Sequence, residues 1–402
     1  MLCCFLENTQ EKHPGGTVMK KILICALKSV CYHSYLYFED RLGSELKKHG
    51  WQVTYFRASE EPPEHLERYI GASFDAVLEF NSDLPKVRMD DGSYFLDHIH
   101  APFYDVLLDH PLYHHDMLKQ ELSDFHVICL DINHRDYILK NYPHIKSVAV
   151  VSMTGDAVSP CPPMQKRPID VLFLGTYTSP AEVLNAIENC PPFLAADIKK
   201  LIGRMLEDPS LTLEAAVTQL IPETDSLISE NFPLHMQAYF LADTYLRAFL
   251  REKLISTLAN AGVPLSVYGG DWEKMPHPSK SSVTFHGSVP YTDTFRLMAN
   301  AKLTLNIMPL FKNGSHDRIP AAMLNKSAVL TDKSKMLTSL YTDGCNIIFY
   351  DTGKMELLPE RIFSLLSDEK KLASIAEAGY ASAAKNATWE NLGQRFLSIL
   401  SV

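Results

Sequence analysis

"IDVLFLGTY", residues 169–177, decides the fold. Apart from Asp170 its first six residues are large and apolar, and the run then breaks at Gly175 into two polar positions. That is the pattern of a short strand covered on both faces that hands a loop to a ligand. The stretch just before it, "SMTGDAVSPCPPMQKRP" (152–168), has no apolar period and carries prolines at 160, 162, 163 and 168, the composition of a linker. A strand that restarts after such a linker marks the first element of a second α/β unit.

Reading back from residue 152, "KILICAL" (21–27), "WQVTYF" (51–56), "FDAVLEF" (74–80), "YDVLLD" (104–109), "FHVICLD" (125–131) and "KSVAVV" (146–151) have strand character. "YLYFEDRLGSELKKHG" (35–50) lies between the first two and reads as an amphipathic helix closed by Gly50. Reading forward, a helical insert covers about 180–262. Its last part places Phe240, Leu246, Phe249, Leu250, Leu254 and Leu258 on one apolar stripe. Strands return at "PLSVYG" (264–269), "VTFHG" (283–287), "LTLNIM" (303–308), "SAVLTD" (327–332) and "NIIFYD" (346–351), and the chain closes in helices near 355–367, 369–386 and 388–401. Alternation of this kind predicts two Rossmann-like, doubly wound parallel-sheet domains facing a cleft. The expected division is an N-terminal domain over 19–152, a linker over 153–168, a C-terminal domain over 169–387 that includes the insert, and a terminal helix over 388–402 that crosses back.

The composition agrees. A chain of 402 residues exceeds what one core usually organises. With 46% apolar and 21% charged residues and a formal net charge of −10, it reads as globular, with no nucleic-acid or anionic-membrane surface. No apolar run reaches the ~18 residues of a spanning helix. The eight cysteines form no CxxC pair, which fits a reducing cytoplasm better than a disulfide framework or a zinc site. Residues 1–18 lack a signal peptide's basic start and apolar run, and "MKKILICAL" from Met19 reads as a natural start, so 1–18 is expected to be a disordered extension.

Ligands of open parallel sheets bind beyond the carboxyl ends of the strands, which directs attention to the polar residues there. In the second half these are Gly175, Thr176 and Tyr177; Gly269, Gly270 and Asp271; Gly287 and Ser288; "NGSHDRIPAAML" (313–324); and Asp332. A helix predicted to begin near His316 would offer free N–H groups to a phosphate, with His316 and Arg318 adding charge. The alternative is an ordinary loop with Ser315 as the helix cap. Neither a Gly-x-Gly-x-x-Gly fingerprint nor a Walker Gly-Lys-Ser/Thr is present, so neither half is a standard dinucleotide or P-loop unit.

In the first half, Ser29, His33 and Ser34 follow the first strand and "DHPLYHHD" (109–116) follows the fourth. Pro111 between His110 and His114 disfavours a continuous helix, and His115 would point about 100° from His114. A three-histidine metal site is therefore not expected. Asp109 and His110 are expected at the end of a central strand, facing the cleft, with His114 and His115 packing or solvated on a helix that starts at Pro111.

"YGGDWE" (268–273), "FHGSVPYTDTFRLMANAKLTLNIMP" (285–309), "GSHDRIPAAMLNKSAVLTD" (314–332) and "TDGCNIIFYD" (342–351) resemble, in order and spacing, the carboxy-terminal domain of GT-B type glycosyltransferases. The similar branch is group 1, with the bacterial spore-maturation CgeB-like proteins, and the resemblance covers about 265–402. It implies transfer of a sugar from a nucleoside-diphosphate sugar, a co-substrate rather than a bound cofactor, to a protein, glycan or lipid-linked acceptor. Gly175 and Thr176 would approach the diphosphate or sugar, Gly287 and Tyr291 the nucleobase, and Ser315, His316 and Arg318 the diphosphate. With the strand-end positions, the donor-binding candidates are Gly175, Thr176, Tyr177, Tyr268, Gly287, Tyr291, Asn306, Gly314, Ser315, His316, Asp317, Arg318 and Asp332.

One departure matters. Many retaining relatives carry two glutamates eight positions apart, and the matching positions here are Asn313 and Ala321. A carboxylate grip on the sugar would have to come from Asp317 or Asp332. Relatives work without a divalent cation, no Asp-x-Asp motif is present, and a helix N-terminus with Arg318 would stabilise the leaving diphosphate. An inverting reaction needs a base near the acceptor hydroxyl, for which His33, Asp109 and His110 are the catalytic candidates. The alternatives are a non-catalytic GT-B partner subunit, suggested by the lost glutamates, and a nucleotide-sugar epimerase.

Overall fold

Twelve strands assemble into two separate six-stranded sheets, and every strand pair in both is parallel. The computed structural model describes residues 19–28, 34–220, 232–276, 282–308 and 311–401. The expected extension 1–18 and His33 lie outside these residues. The first sheet contains β1 (Lys21–Ala26), β2 (Gln52–Arg57), β3 (Ala76–Phe80), β4 (Phe103–Val106), β5 (Phe125–Cys129) and β6 (Ser147–Val150), in the order β2-β1-β3-β4-β5-β6. The second contains β7 (Ile169–Leu174), β8 (Leu265–Tyr268), β9 (Val283–Phe285), β10 (Ala301–Leu305), β11 (Ala328–Asp332) and β12 (Ile348–Tyr350), in the order β12-β11-β10-β7-β8-β9.

Each sheet is wound outward in one direction and then in the other. The strand order reverses between β1 and β3 in the first sheet and between β7 and β10 in the second, the places where such sheets leave a crevice. The central strands are the apolar runs of the sequence: β3 and β11 are buried at every position, whereas the edge strands β6 and β9 are only partly covered. Strands covered on both faces read as near-continuous apolar runs, interrupted here by Glu79 in β3 and by Thr331 and Asp332 in β11.

The helical insert follows β7 in the chain but shares its apolar cluster with the first sheet. Val183, Ile198, Val217 and Met236 lie in one continuous core with Val77, Leu112 and Tyr137. The helix Phe240–Asn260 joins the two halves, at ~30 Å for its 21 residues. Its Ala242 and Leu246 belong to that first core, and its Leu250, Leu254 and Leu258 to the core of the second sheet. Phe240, expected on the same stripe, is 42% exposed at the first turn, although its neighbours Tyr239 and Ala242 are buried in the first core.

Segment 151–168 is packed rather than free. A Cβ on Gly155 would lie 2.5 Å from the Phe295 ring and 2.7 Å from Ala321 Cβ. The Asn325 amide donates to Asp156 O and accepts from Val158 N, both at 2.8 Å. The final helix Trp389–Ile399 opens with a capping box between Thr388 and Asn391 and packs on the helix Ser34–Lys48 of the first sheet. There Trp389 Nε1 donates to Tyr37 Oη at 3.0 Å, and Phe396 is fully buried.

Candidate functional site

A cavity of about 310 Å³ lies between the carboxyl ends of the two sheets. Its C-terminal wall is built from interlocked loops. Gly175 N–H donates to Tyr268 O at 2.9 Å, Gly269 N–H to Gly287 O at 2.8 Å, and Trp272 Nε1 to Gly175 O at 2.6 Å. Gly269 has φ 147°, and a Cβ there would lie 2.1 Å from Gly175 O, so only glycine lets the loops after β7 and β8 meet. The Gly175–Thr176 backbone is thereby held at the cavity surface.

Two guanidinium groups reach the same wall. Arg251, from the helix Phe240–Asn260, donates from NH1 to Thr176 O at 2.5 Å, while its buried Nε has no partner. Burial, followed by the nearby Arg318 and Arg247 charges, lowers its pKa to about 9. Arg318 donates from Nε to Asn306 Oδ1 at 2.8 Å, and burial lowers its pKa although Asp317 opposes the shift. Asp317 and Asp109 are the carboxylates lining the cavity among the described residues. Asp317 is committed locally: it accepts from Tyr291 Oη and is paired with His316. Burial would raise its pKa, but His316, Arg318 and the Tyr291 hydroxyl together hold it far below the usual range. His316 is itself lowered, chiefly by burial and by Arg318. The wall thus presents guanidinium charge that no carboxylate grips directly, a receptor for an anion.

The N-terminal wall carries Ser34, Tyr35 and Phe38 from the helix Ser34–Lys48, Leu108 and Asp109 after β4, and Leu130 and Met153. Asp109 is its one charge among the described residues. The side chain is 42% exposed, accepts from Asn81 Nδ2 at 3.0 Å through Oδ2, and has Arg247 NH1 at 3.8 Å from Oδ1.

Of the expected residues, Asp109, Gly175, Thr176, Tyr268, Tyr291, His316, Asp317 and Arg318 line this one cavity. His110 does not, which corrects its expected place in the cleft. It is 4% exposed and turned toward the insert, where Nδ1 accepts from Leu112 N at 3.0 Å and Nε2 contacts Glu214 Oε1 at 2.8 Å. Both nitrogens are used, one capping the short helix that Pro111 begins, so neither is available as a base. Tyr177 is likewise in the core, its hydroxyl 2.5 Å from Glu252 Oε2. Asn306 is buried and orients Arg318 from behind, and Asp332 is buried with Oδ1 on Met308 N at 2.7 Å.

Gly314 and Ser315 also leave the donor list. Gly314 bridges to Asp131 across the cleft, and a Cβ there would be 2.4 Å from Leu130 O; Ser315 is buried. The following helix starts at Arg318 rather than His316, and no side chain caps it. Gly287 stands at the exposed rim, with φ 73°. Sequence reasoning missed Arg251. The local signal is only that Arg247 and Arg251 are four apart and so share a face of the helix Phe240–Asn260, which does not say which loop they reach.

Two six-stranded parallel sheets facing one cavity define the GT-B architecture, and solved structures bear this out. An alpha-glucosyltransferase solved with UDP and a 13-mer DNA aligns over 96% of this chain and 100% of its own, at TM-score 0.57 and 12% identity. HepE of Anabaena, solved with UDP and glucose, aligns over 95% and 99%, at TM-score 0.53 and 15% identity. The chain spans only 57% of the length of TarM, at TM-score 0.48 and 12% identity. Residues 247–398 match the family described as "Glycosyl transferase-like", a stretch that begins upstream of the resemblance and takes in Arg251. No curated protein matches the chain in sequence. In fold the chain has the GT-B architecture, and its residues 247–398 are similar to a glycosyl transferase-like family.

Proposed function

We propose that the chain transfers a sugar from a nucleoside-diphosphate sugar, a UDP-hexose first among them, to a hydroxyl acceptor on a glycan, protein or lipid-linked molecule. The observation that carries this reading is the pair Arg251 and Arg318 on a 310 Å³ interdomain cavity, with Arg251 Nε buried and unpartnered. A diphosphate supplies the acceptors those groups lack, and its negative charge grows as the glycosidic bond breaks, so the same guanidinium groups favour the leaving group. The helix that starts at Arg318 has seven residues, so the side chains rather than the helix end carry this stabilisation in our reading. Transfer without a divalent cation is part of the proposal. Asp109, opposite, accepts the hydrogen bond of the reacting hydroxyl and can take its proton.

The missing glutamates bear less on activity than the sequence suggests. Ala321 is buried beneath Gly155, and the Asn313 backbone is tied to Asp131. Neither position lines the cavity, so their identity does not by itself favour a non-catalytic subunit or an epimerase. The finer placement in the bacterial CgeB-like branch rests on the motif spacing. Cytoplasmic residence is supported by the five unpaired cysteines among the described residues, and no described helix is long and apolar enough to cross a membrane.

A thermal-shift series with UDP, UDP-glucose and other nucleotide sugars tests the reading, because a ligand of the folded state raises the Tm. A dose-dependent rise with at least one of them, and release of its nucleoside diphosphate over time, is expected. No rise with any of them would end the proposal.

A further inference from the structure

Asn81 is a non-glycine residue with φ 46°, immediately after β3. Asparagine tolerates the left-handed region better than most side chains, but the conformation still costs free energy, and such outliers gather at functional sites. The residue is 4% exposed, and its backbone is pinned by an N–H bond to Val106 O at 3.0 Å. Its amide is placed without ambiguity. Leu108 N–H donates to Oδ1 at 2.8 Å, so Oδ1 is the acceptor end and Nδ2 must face the other way. The two Nδ2 hydrogens then go to Tyr35 Oη at 2.5 Å and to Asp109 Oδ2 at 3.0 Å. Both recipients line the cavity.

From this geometry we infer that Asn81 is the positioning residue of the N-terminal wall, holding Asp109 with Oδ2 occupied and Oδ1 free to meet a substrate hydroxyl. The inference rests on the transferase reading above. An amide serves here because it can only donate to the carboxylate and carries no charge of its own. Arg247, 3.8 Å away on the helix Phe240–Asn260, is the other group facing Asp109. His114 and His316 stand further off, and burial lowers the pKa of both. With Asn81 in place, the Asp109 side chain is fixed at the strand end. The strain at φ 46° is the cost of turning the amide under the loop rather than away from it.

Asn81→Asp keeps the shape and the tolerance for positive φ but sets a carboxylate against Asp109. Like charges at this distance raise one of the two pKa values, typically by about a unit or more. The probe is UDP release from UDP-glucose with water as acceptor, read as kcat and KM across pH 4–9, with melting curves to confirm folding. The expected result is a roughly tenfold or larger fall in kcat, KM within about twofold, and an acid limb displaced to higher pH. Asn81→Gly, which suits the backbone and removes all three side-chain bonds, should lower kcat alike without displacing that limb. An unshifted limb in Asn81→Asp, or kcat and KM changing together in both variants, would overturn the role. No UDP release by the unaltered chain sinks the transferase reading and this role with it. Release with an unshifted limb sinks the role of Asn81 alone.

Discussion

"DHPLYHHD" (109–116) and "GSHDRI" (314–319) lie on opposite sides of the same cavity, and they contribute in inverse proportion to their promise. The first has five polar, titratable residues, of which only Asp109 reaches the cavity. The second has three, and all of them do. The difference lies in what each side chain is already bonded to and, for His114, in burial away from the cavity. His110 has both nitrogens occupied, His115 is bonded to Tyr142 Oη at 3.0 Å, and burial lowers His114 to about 4. In the second stretch His316 and Asp317 are bonded to each other, and Arg318 is left with its terminal nitrogens free among the described residues. Chemistry-bearing residue types become a site only where the fold leaves a valence open.

The largest test of this contrast is on nucleotide binding. Arg318→Ala should weaken UDP binding by roughly 10- to 100-fold, the worth of a charge-assisted hydrogen bond, whereas His110→Ala should leave it unchanged. Arg251→Met should weaken it comparably. It should also raise the Tm of the unliganded protein, since it replaces a buried, partly unsatisfied charge with apolar volume. Isothermal titration and melting curves read both. If His110→Ala binds UDP no better than Arg318→Ala, the two stretches do not differ as argued.

Stability sharpens the contrast in the other direction. His110→Ala should cost roughly 2–4 kcal/mol, because it strands the Glu214 carboxylate in a nearly closed pocket and frees Leu112 N. Burial alone would raise Glu214, but the His110 charge and hydrogen bond, with His134 beyond, bring it down to about 2. A folded pKa below the unfolded one gives stability that is present above about pH 4.5 and lost as pH falls toward 2. The deficit of His110→Ala should therefore be largest near neutrality and close in acid, measured by urea titration at several pH values. A deficit independent of pH would mean that the histidine acts by packing alone.

The contrast also marks what the sequence can carry. Every strand was legible, because a parallel strand buried on both faces is a near-continuous apolar run, and Gly175 and Tyr268 followed from their places at strand ends. The direction of a side chain at such an end was not. Asp109 and His110 are neighbours, yet one faces the cavity and the other the insert, because successive side chains of an extended segment point to opposite sides and His110 then caps the short helix begun by Pro111. Arg251 was hidden for another reason: it comes from a helix more than seventy residues downstream of the loop it serves, a distance that no local pattern spans.

The smallest effect concerns a carboxylate with the opposite sign to Glu214. Glu39, on the helix Ser34–Lys48, is 1% exposed, and its Oε2 has no hydrogen-bond partner. The nearest cation, Arg57 Nε, stands 3.8 Å away on β2, and that guanidinium spends its other nitrogens on Asp40 and Glu60. Burial therefore dominates: it lifts Glu39 to about 9, with Arg57 opposing and Glu79 and Asp40 reinforcing. Here the folded pKa lies above the unfolded one, so the contribution to stability is complete below about pH 4.5 and lost as pH rises toward 9. Glu39→Gln keeps the shape and removes the titration. Its stability should match the unaltered protein near pH 4 and exceed it progressively above, by up to roughly 3 kcal/mol at pH 7. Other buried carboxyls, Glu79, Asp105, Asp131 and Asp332, are also raised by burial, but they are common to both proteins and largely cancel in the difference. Parallel stability curves across pH 4–8 would show that Arg57 holds Glu39 ionised, and the contrast with Glu214 would then be one of degree rather than of sign.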